Sequence, residues 1–393
     1  MLTGPPPKIH GTRDILYTST KTVTPQKTDR SRNSLVRSQF CWCATFRWWH
    51  GWPEIQVLET THRQYFRSMV AMTLPAGFDA RAIETGDAEV WAGLLAAKER
   101  VDQEGASFSP ADLIDELNDP HLDAALDTIG VWAGRQMVAY ATVHAADSVI
   151  DVDRVRSEGA VHPEWRRRGL GTALMPWLIE RAAELLAGRY PDVPGEVSNS
   201  AISTNLGADR LLHRFAFQPC RYFFHMKRSL LHAVPETPRA EGLQVVPFDS
   251  SMDEILRVTH NEVFADHWGE TPVDEATWKA WFTGARAFRA GSSSLVLDGG
   301  SIAAYVLGYE WEADTDATGI RELYIGQVGT RRSYRRHGLA RMALAMVLTQ
   351  AAQVGYERAA LEVDADNPTG ALGLYKSLGF SVHSKSVMYR LEL

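Results

Sequence analysis

The chain has 393 residues, 45% hydrophobic and 23% charged, which suits two globular domains and excludes a wholly disordered, collagen-like or disulfide-built protein. No apolar run is long enough to span a membrane, and three cysteines fit a reducing, cytoplasmic setting. The formal charge of −7 argues against general nucleic-acid binding.

That charge is unevenly spread. Residues 1–72 hold ten Lys or Arg against four Asp or Glu, and four of the twelve tryptophans crowd into Cys41–Trp52. This leader opens on Pro5, Pro6 and Pro7 and shows neither a helical nor a strand period. It is read as a disordered extension, or as a stretch absent from the mature chain, which would then start at Met69 or Met72. A transit peptide or a tail for an anionic surface shares that composition. Cys41 and Cys43 lack the second ligand pair of a zinc site, and no H-x-x-H or H-E-x-x-H spacing occurs, so no metal is expected.

After Met72 the chain follows one plan twice. Phe78–Glu84 is expected as a strand, Asp87–Gln103 as a helix, and Asp127–Ala133 with Met137–Ala145 as a hairpin. Arg154–His162 reads as a strand leading to Arg166-Arg167-Arg168-Gly169-Leu170-Gly171. A helix with apolar residues at 170, 173, 174, 177 and 178 begins there. Glu196–Ser203, Ala208–Phe215 and Tyr222–Lys227 close the copy as strand, helix and strand. Pro235 and Pro238 mark residues 232–242 as a linker.

The second copy starts with a strand at Leu243–Phe248 and a helix at Ser251–His267. A hairpin follows, Ser294–Asp298 with Ile302–Trp311, turning at Asp298-Gly299-Gly300. The strand Glu322–Thr330 then leads to Arg335-Arg336-His337-Gly338-Leu339-Ala340, which starts 169 positions after Arg166. Ala359–Val363, Thr369–Ser377 and Ser386–Leu393 complete it as strand, helix and strand. The expected fold is α/β (α+β): two tandem domains, 73–231 and 243–393, each a mostly antiparallel mixed sheet flanked by helices.

The arginine–glycine turn carries chemistry. A pyrophosphate needs several donors converging on a small volume, and exposed N–H groups at a helix start supply them together with the helix dipole. Glycine lets the backbone approach closely, and the arginines add charge. Neither GxGxxG nor GK[ST] is present, so this is not a dinucleotide fingerprint or a P-loop.

A strand, then Arg/Gln-x-x-Gly-x-Gly/Ala, then a helix resembles the coenzyme A signature of the GNAT superfamily of acyl-CoA N-acyltransferases. Asn367-Pro-Thr-Gly-Ala371-Leu-Gly-Leu-Tyr375-Lys-Ser-Leu-Gly379-Phe380 is similar to that superfamily's late motif, with one extra residue before Tyr375. The resemblance covers residues 75–393 and none of the leader. Tandem members include the mycothiol synthase family of actinobacteria, whose acidic strand motif is similar to Glu322-Leu-Tyr-Ile. That family's aspartate–proline pair is replaced here by Gly329-Thr330.

The resemblance implies acetyl-CoA as cosubstrate, no metal, and a small amine or peptide as acceptor, in a monomer or homodimer with no nucleic-acid or membrane partner. It places coenzyme A on Arg335, Arg336, His337, Gly338, Leu339, Ala340 and Asn367, with Val328 and Thr330 pairing to the pantetheine arm as an added strand would. Arg166, Arg167, Arg168, Gly169, Leu170 and Gly171 would do the same in the first half. Tyr375 is expected to protonate the departing thiolate, since tyrosine with its pKa of about 10 keeps its proton at neutral pH. Glu322 is the expected base, directly or through a water, with Glu310 and Glu312 as substitutes.

Aligning Phe217 with Phe380 puts Leu212 at the place of Tyr375 and Ala216 at that of Gly379, with His213 one position on. Pro176 also interrupts the helix after the first turn. The first half is therefore expected to bind coenzyme A without catalysing. Cys220 reads as a small buried hydrophobe, and Trp268, Trp278, Trp281 and Phe282 as core or as the acceptor wall. Asp266, Glu270, Glu312, Asp314 and Asp316, in the loops Ala265–Pro272 and Trp311–Thr318, hint at a cationic acceptor. Two rivals accompany this reading: acetylation of a cysteinyl amine as in mycothiol synthesis, and a silent acyl-CoA sensor or scaffold.

Overall fold

In the computed structural model the described residues are 72–145, 148–236, 241–265, 271–367 and 370–393. The leader up to residue 71, with Cys41 and Cys43, lies outside them, as do Pro238, Asp266, Trp268, Glu270 and Thr369.

The first half runs β1 (Asp79–Arg81), α1 (Ala88–Asp102), α2 (Pro110–Leu117), α3 (Ala124–Asp127), β2 (Thr128–Ala133) and β3 (Gln136–Ala145). It continues through β4 (Asp153–Val161), α4 (Leu170–Arg189), β5 (Gly195–Ile202), α5 (Leu206–Arg214) and β6 (Gln218–Ser229). The second half repeats most of this order: β7 (Gln244–Pro247), α6 (Asp253–Phe264), α7 (Glu275–Trp281), β8 (Ser294–Asp298), β9 (Ser301–Tyr309) and α8 (Glu312–Thr318). Then come β10 (Glu322–Thr330), α9 (Leu339–Gln353), β11 (Arg358–Asp364), α10 (Ala371–Ser377) and β12 (Ser381–Glu392). The duplicated, mostly antiparallel sheet expected from sequence is present. No helix among the described residues is long and apolar enough to cross a membrane.

Local chemistry explains the elements the sequence reading missed. α2 starts at a reciprocal cap, where Ser109 and Asp112 exchange side-chain-to-backbone hydrogen bonds and Pro110 takes the first helical position. α8 replaces an expected loop. Its acids Glu312 and Asp314 lie in the first turn, where the helix dipole favours them, and Gly319 (φ 69°) ends it.

Strands β1 to β12 form one sheet in the order β1-β2-β3-β4-β5-β12-β6-β11-β10-β9-β8-β7. The halves exchange their last strands. β5 of the first half pairs with β12, while β11 of the second pairs with β6, and β6 and β12 pair with each other at the centre. This is why both strands are longer than expected: each is hydrogen-bonded along two edges. α4 and α9 pack across the sheet as amphipathic helices. Leu323, Ile325, Leu339, Ala343 and Val347 meet in one core, and Val155, Val197, Leu170, Leu174 and Leu178 in its counterpart. Each fully buried aliphatic side chain contributes about 1.5–3 kcal/mol.

Candidate active site

The two arginine–glycine turns have the same backbone. After β10, Arg332–Tyr334 forms a single 3-10 turn, Arg336 (φ 67°) and Gly338 (φ 78°) are left-handed, and α9 begins. After β4 the sequence is Pro163–Trp165, Arg167 (φ 64°), Gly169 (φ 86°) and α4. The first helical bonds run from Met342 N–H to Gly338 O at 3.0 Å and from Ala173 N–H to Gly169 O at 2.9 Å. The N–H groups ahead of them converge on the space before each helix. A Cβ on Gly338 would meet nothing within 4 Å, so that space is open. The backbone there fits a pyrophosphate.

The side chains divide their labour. Leu170 and Leu339 are buried and offer only their N–H groups. Arg335 folds back, its Nε donating to Thr330 O and Nη2 to Val263 O, both at 3.3 Å. Arg166 donates from Nε to Val161 O at 3.2 Å and pairs with both carboxylate oxygens of Asp102, at 2.8 and 2.6 Å. The first arginine of each copy thus holds the turn, Arg168 stacks on Trp165 at 4.5 Å, and Arg167, Arg336 and His337 are exposed.

β10 and β11 run parallel from Glu322 opposite Arg358 to Ile325 opposite Leu361, and then part. Beyond that fork Val328 and Thr330 keep their β9 partners Val306 and Ala304 but have none on β11. Their free edge suits the amide-bearing pantetheine arm. Asn367 stands past the end of β11, its N–H donating to Asp364 O at 3.1 Å. Gly329, where the related family has an aspartate–proline pair, is required by packing: a Cβ there would overlap the ring of buried Tyr305. The Tyr305 hydroxyl in turn lies 2.8 Å from His260 Nδ1.

Around the fork lie the groups able to move protons. Tyr375, on α10, is 7% exposed, and burial pushes its hydroxyl up to about 12. Glu322 is 8% exposed and bound by Arg358 Nε, with Lys227 Nζ 3.7 Å away. Tyr324 is pushed above the usual tyrosine range by burial and by the nearby charges of Glu362, Tyr375 and Glu322. Glu362, on β11, has 35% of its side chain open to solvent, yet the protein around it lifts its carboxyl to about 7. Its Oε2 lies 3.0 Å from His225 Nε2. Asp314 accepts from Ser107 N–H at 2.6 Å, and burial raises it to about 6.

Glu310, one of the substitute bases, is engaged elsewhere. Burial works to raise it, but hydrogen bonds from Arg321, Tyr356 and Arg289 outweigh this and hold it down at about 2. Glu312 is exposed at the start of α8. The sequence reading missed Tyr324, Glu362, His225 and Lys227. Glu362 did leave a trace, as an acid set between the apolar Leu361 and Val363 of one strand.

The first half keeps the scaffold of the turn but has a leucine at the place of Tyr375 and Arg154 at that of Glu322. Leu212 is 3% exposed, and Phe217 N–H donates to its carbonyl at 3.1 Å, as Phe380 N–H does to that of Tyr375 at the same distance. Ala216 (φ 66°) matches Gly379 (φ 88°). His213 is turned to its own helix, with Nδ1 2.8 Å from Asp209 O.

Two segments, 95–215 and 251–380, match the acetyltransferase (GNAT) family. The chain belongs to that family. As a GNAT acetyltransferase it uses acetyl-CoA to acetylate an amine, as its turn motifs implied. Mycothiol acetyltransferase of Mycobacterium ulcerans is 30% identical over 274 residues, which span 66% of this chain and 80% of that protein. A GCN5-related N-acetyltransferase from Sphaerobacter thermophilus is 27% identical with a TM-score of 0.65, covering 81% of this chain and 97% of its own. A tandem GNAT protein from the clavulanic acid biosynthesis pathway, at 18% identity and a TM-score of 0.61 over 80% of this chain and 98% of its own, shares the fold.

Proposed function

We propose that acetyl transfer takes place in the second half, residues 243–393, and that the first, 73–231, binds coenzyme A without catalysing. One observation carries this reading. Tyr375 is a buried side chain of α10 whose nearness to Tyr324 of β10 helps to raise that tyrosine, and the first half has Leu212 in its place. The bound thioester supplies the activated acetyl carbonyl. The N–H groups before α9 hold the phosphates, and the free edge of β10 at Val328 and Thr330 holds the arm. Tyr375 gives its proton to the departing sulfur, and Glu322, fixed by Arg358 and Lys227, orients a water that receives the amine proton.

The acceptor is a primary amine of a small molecule or peptide, in a cytoplasmic setting suggested by the few cysteines. A cysteinyl amine is favoured within that class by the 30% identity to mycothiol acetyltransferase. The test is release of free thiol from acetyl-CoA over a panel of thiol-blocked cysteinyl amines, polyamines and lysine peptides. Tyr375→Phe and Glu322→Gln should both lose turnover. Full rates in both would refute the assignment.

A further inference from the structure

We propose that β6, the last strand of the first half, forms a wall of the second half's active site, with His225 as the positioning residue for Glu362 and Glu362 as the carboxylate that finally holds the acceptor amine's proton. This rests on the reading that catalysis belongs to the second half, and it gives the inactive half a chemical task.

Strand exchange creates the juxtaposition. β6 lies against β11 over seven positions, from Ser229 opposite Arg358 to Phe223 opposite Asp364, with His225 directly opposite Glu362. Alternation along β6 separates its two faces. On one, His225 reaches Glu362 at 3.0 Å and Ser386 Oγ of β12 at 3.2 Å, and Lys227 approaches Glu322 at 3.7 Å. On the other, Met226 enters the core of the second half, and Arg228 donates to the carbonyl of Leu378, where α10 and its Tyr375 end. A strand of the first half therefore touches both proposed carboxylates and the end of the helix bearing the proton donor.

The position of Glu362 suits proton storage. It is the first β11 residue beyond the last β10–β11 pair, at the point where the strands part. Glu322 is already bound by an arginine and approached by a lysine. Glu362 has instead a histidine nitrogen 3.0 Å away, a group that can itself carry a proton. The corresponding place on the other side of the pseudo-symmetric sheet tests specificity. There β5 and β12 set Ser200 opposite Met388, and neither side chain titrates. Among the described residues, a carboxylate–histidine pair occupies this position on the β6–β11 side and not at its β5–β12 counterpart.

The step balances. The amine nitrogen forms its bond to the acetyl carbon and loses one proton, which passes through the water at Glu322 to Glu362 Oε. The departing sulfur takes the proton of Tyr375. Glu362 then releases its proton to solvent, from which Tyr375 recovers one.

The groups facing Glu362 set the direction of the pH effect. They are His225 and Lys227 on β6, Glu322 and Tyr324 on β10, Arg358 and Asp364 on β11, Tyr375 on α10, His383 on β12 and, beside Glu322 and Lys227, Asp314 on α8. Burial, Lys227 and His383 lower His225, which favours its neutral ring, and its Nε2 lies within reach of both Ser386 Oγ at 3.2 Å and Glu362 Oε2 at 3.0 Å.

The experiment is the pH profile of kcat/KM of the full chain with acetyl-CoA and S-methylcysteine amide, read as thiol release. The acceptor's own ammonium contributes equally to every variant. Wild type should lose activity as pH falls through about 7. Glu362→Gln should lower kcat at least about tenfold with an unchanged KM for acetyl-CoA, and abolish that limb. His225→Ala should move the limb up by about one unit, and His225→Gln, which keeps a donor, should return it. Ser200→Ala should match wild type. A second measurement needs no acceptor: the His225 ring resonances should respond near pH 7 in wild type and not in Glu362→Gln. If Tyr375→Phe is inactive while the Glu362 and His225 variants keep the wild-type profile and resonances, this inference falls and the second-half reading stands. If Tyr375→Phe is fully active, that reading falls first.

Discussion

Arg154 and Glu322 stand at matching positions of β4 and β10 and carry opposite charges. Arg154 meets Glu196 on the neighbouring parallel strand at 2.7 Å, and Glu322 meets Arg358 on its own. The residues that follow them, Val155 and Leu323, both turn into the core. Each half therefore ties its central parallel strands with an ion pair, but only the second presents the carboxylate from the strand that leads to the turn. Together with Leu212 in the place of Tyr375, this leaves the first half without either proposed proton-handling group.

Tyr375→Phe removes one hydroxyl whose hydrogen bonds among the described residues are none, so the fold should be unaffected. We expect kcat to fall about 10²–10⁴-fold with coenzyme A affinity unchanged, measured by steady-state kinetics and calorimetric titration. Leu212→Tyr should leave turnover at the wild-type level, because the β4 position that matches Glu322 holds Arg154.

The exchanged ion pair offers a cleaner separation of stability from chemistry. Glu322→Gln leaves Arg358 without its carboxylate and should cost on the order of 1–3 kcal/mol in urea unfolding. The double variant Glu322→Arg with Arg358→Glu copies the arrangement of Arg154 and Glu196. It should recover most of that stability while turnover stays lost. Recovery of turnover along with stability would show that Glu322 serves only the fold.

Neither half should fold alone. Without β6, β11 exposes an edge that is otherwise paired over seven positions, and without β12 the same befalls β5. Residues 243–393 expressed separately should be insoluble or aggregated, and co-expression with 72–242 should yield a soluble complex. A monomeric, cooperatively unfolding 243–393 fragment would contradict this.

Glu310 predicts a specific acid sensitivity. Its carboxyl is ordinarily near 4.5 and is held at about 2 in the fold, so its contribution is complete above pH 4.5 and disappears as pH falls toward 2. The contribution is on the order of 3 kcal/mol. Glu310→Gln should therefore be clearly less stable than wild type at pH 6, and the gap should narrow at pH 3. Urea unfolding at the two pH values measures it.

Much of this molecule was legible in the chain itself. Strand alternation, the apolar stripes at Leu170 and Leu339, and glycines at 169 and 338 all follow from contacts within a few residues, which is the range over which sequence patterns act. The replacement of Tyr375 by Leu212 was equally visible, because both sit a fixed five residues before a phenylalanine that packs in the core. Partners across the sheet were not. His225 and Glu362 are 137 positions apart in the chain, and only the exchange of β6 and β12 brings them within 3.0 Å. The side chains of Glu310 and Glu322 lie in almost the same stretch of sequence, yet one is drawn into a network of Arg289, Arg321 and Tyr356 and the other reaches the fork. Periodicity determined which faces are buried. Strand pairing decided which charges meet, because the hydrogen-bonded register of β6, β10 and β11 sets side chains from distant segments opposite one another.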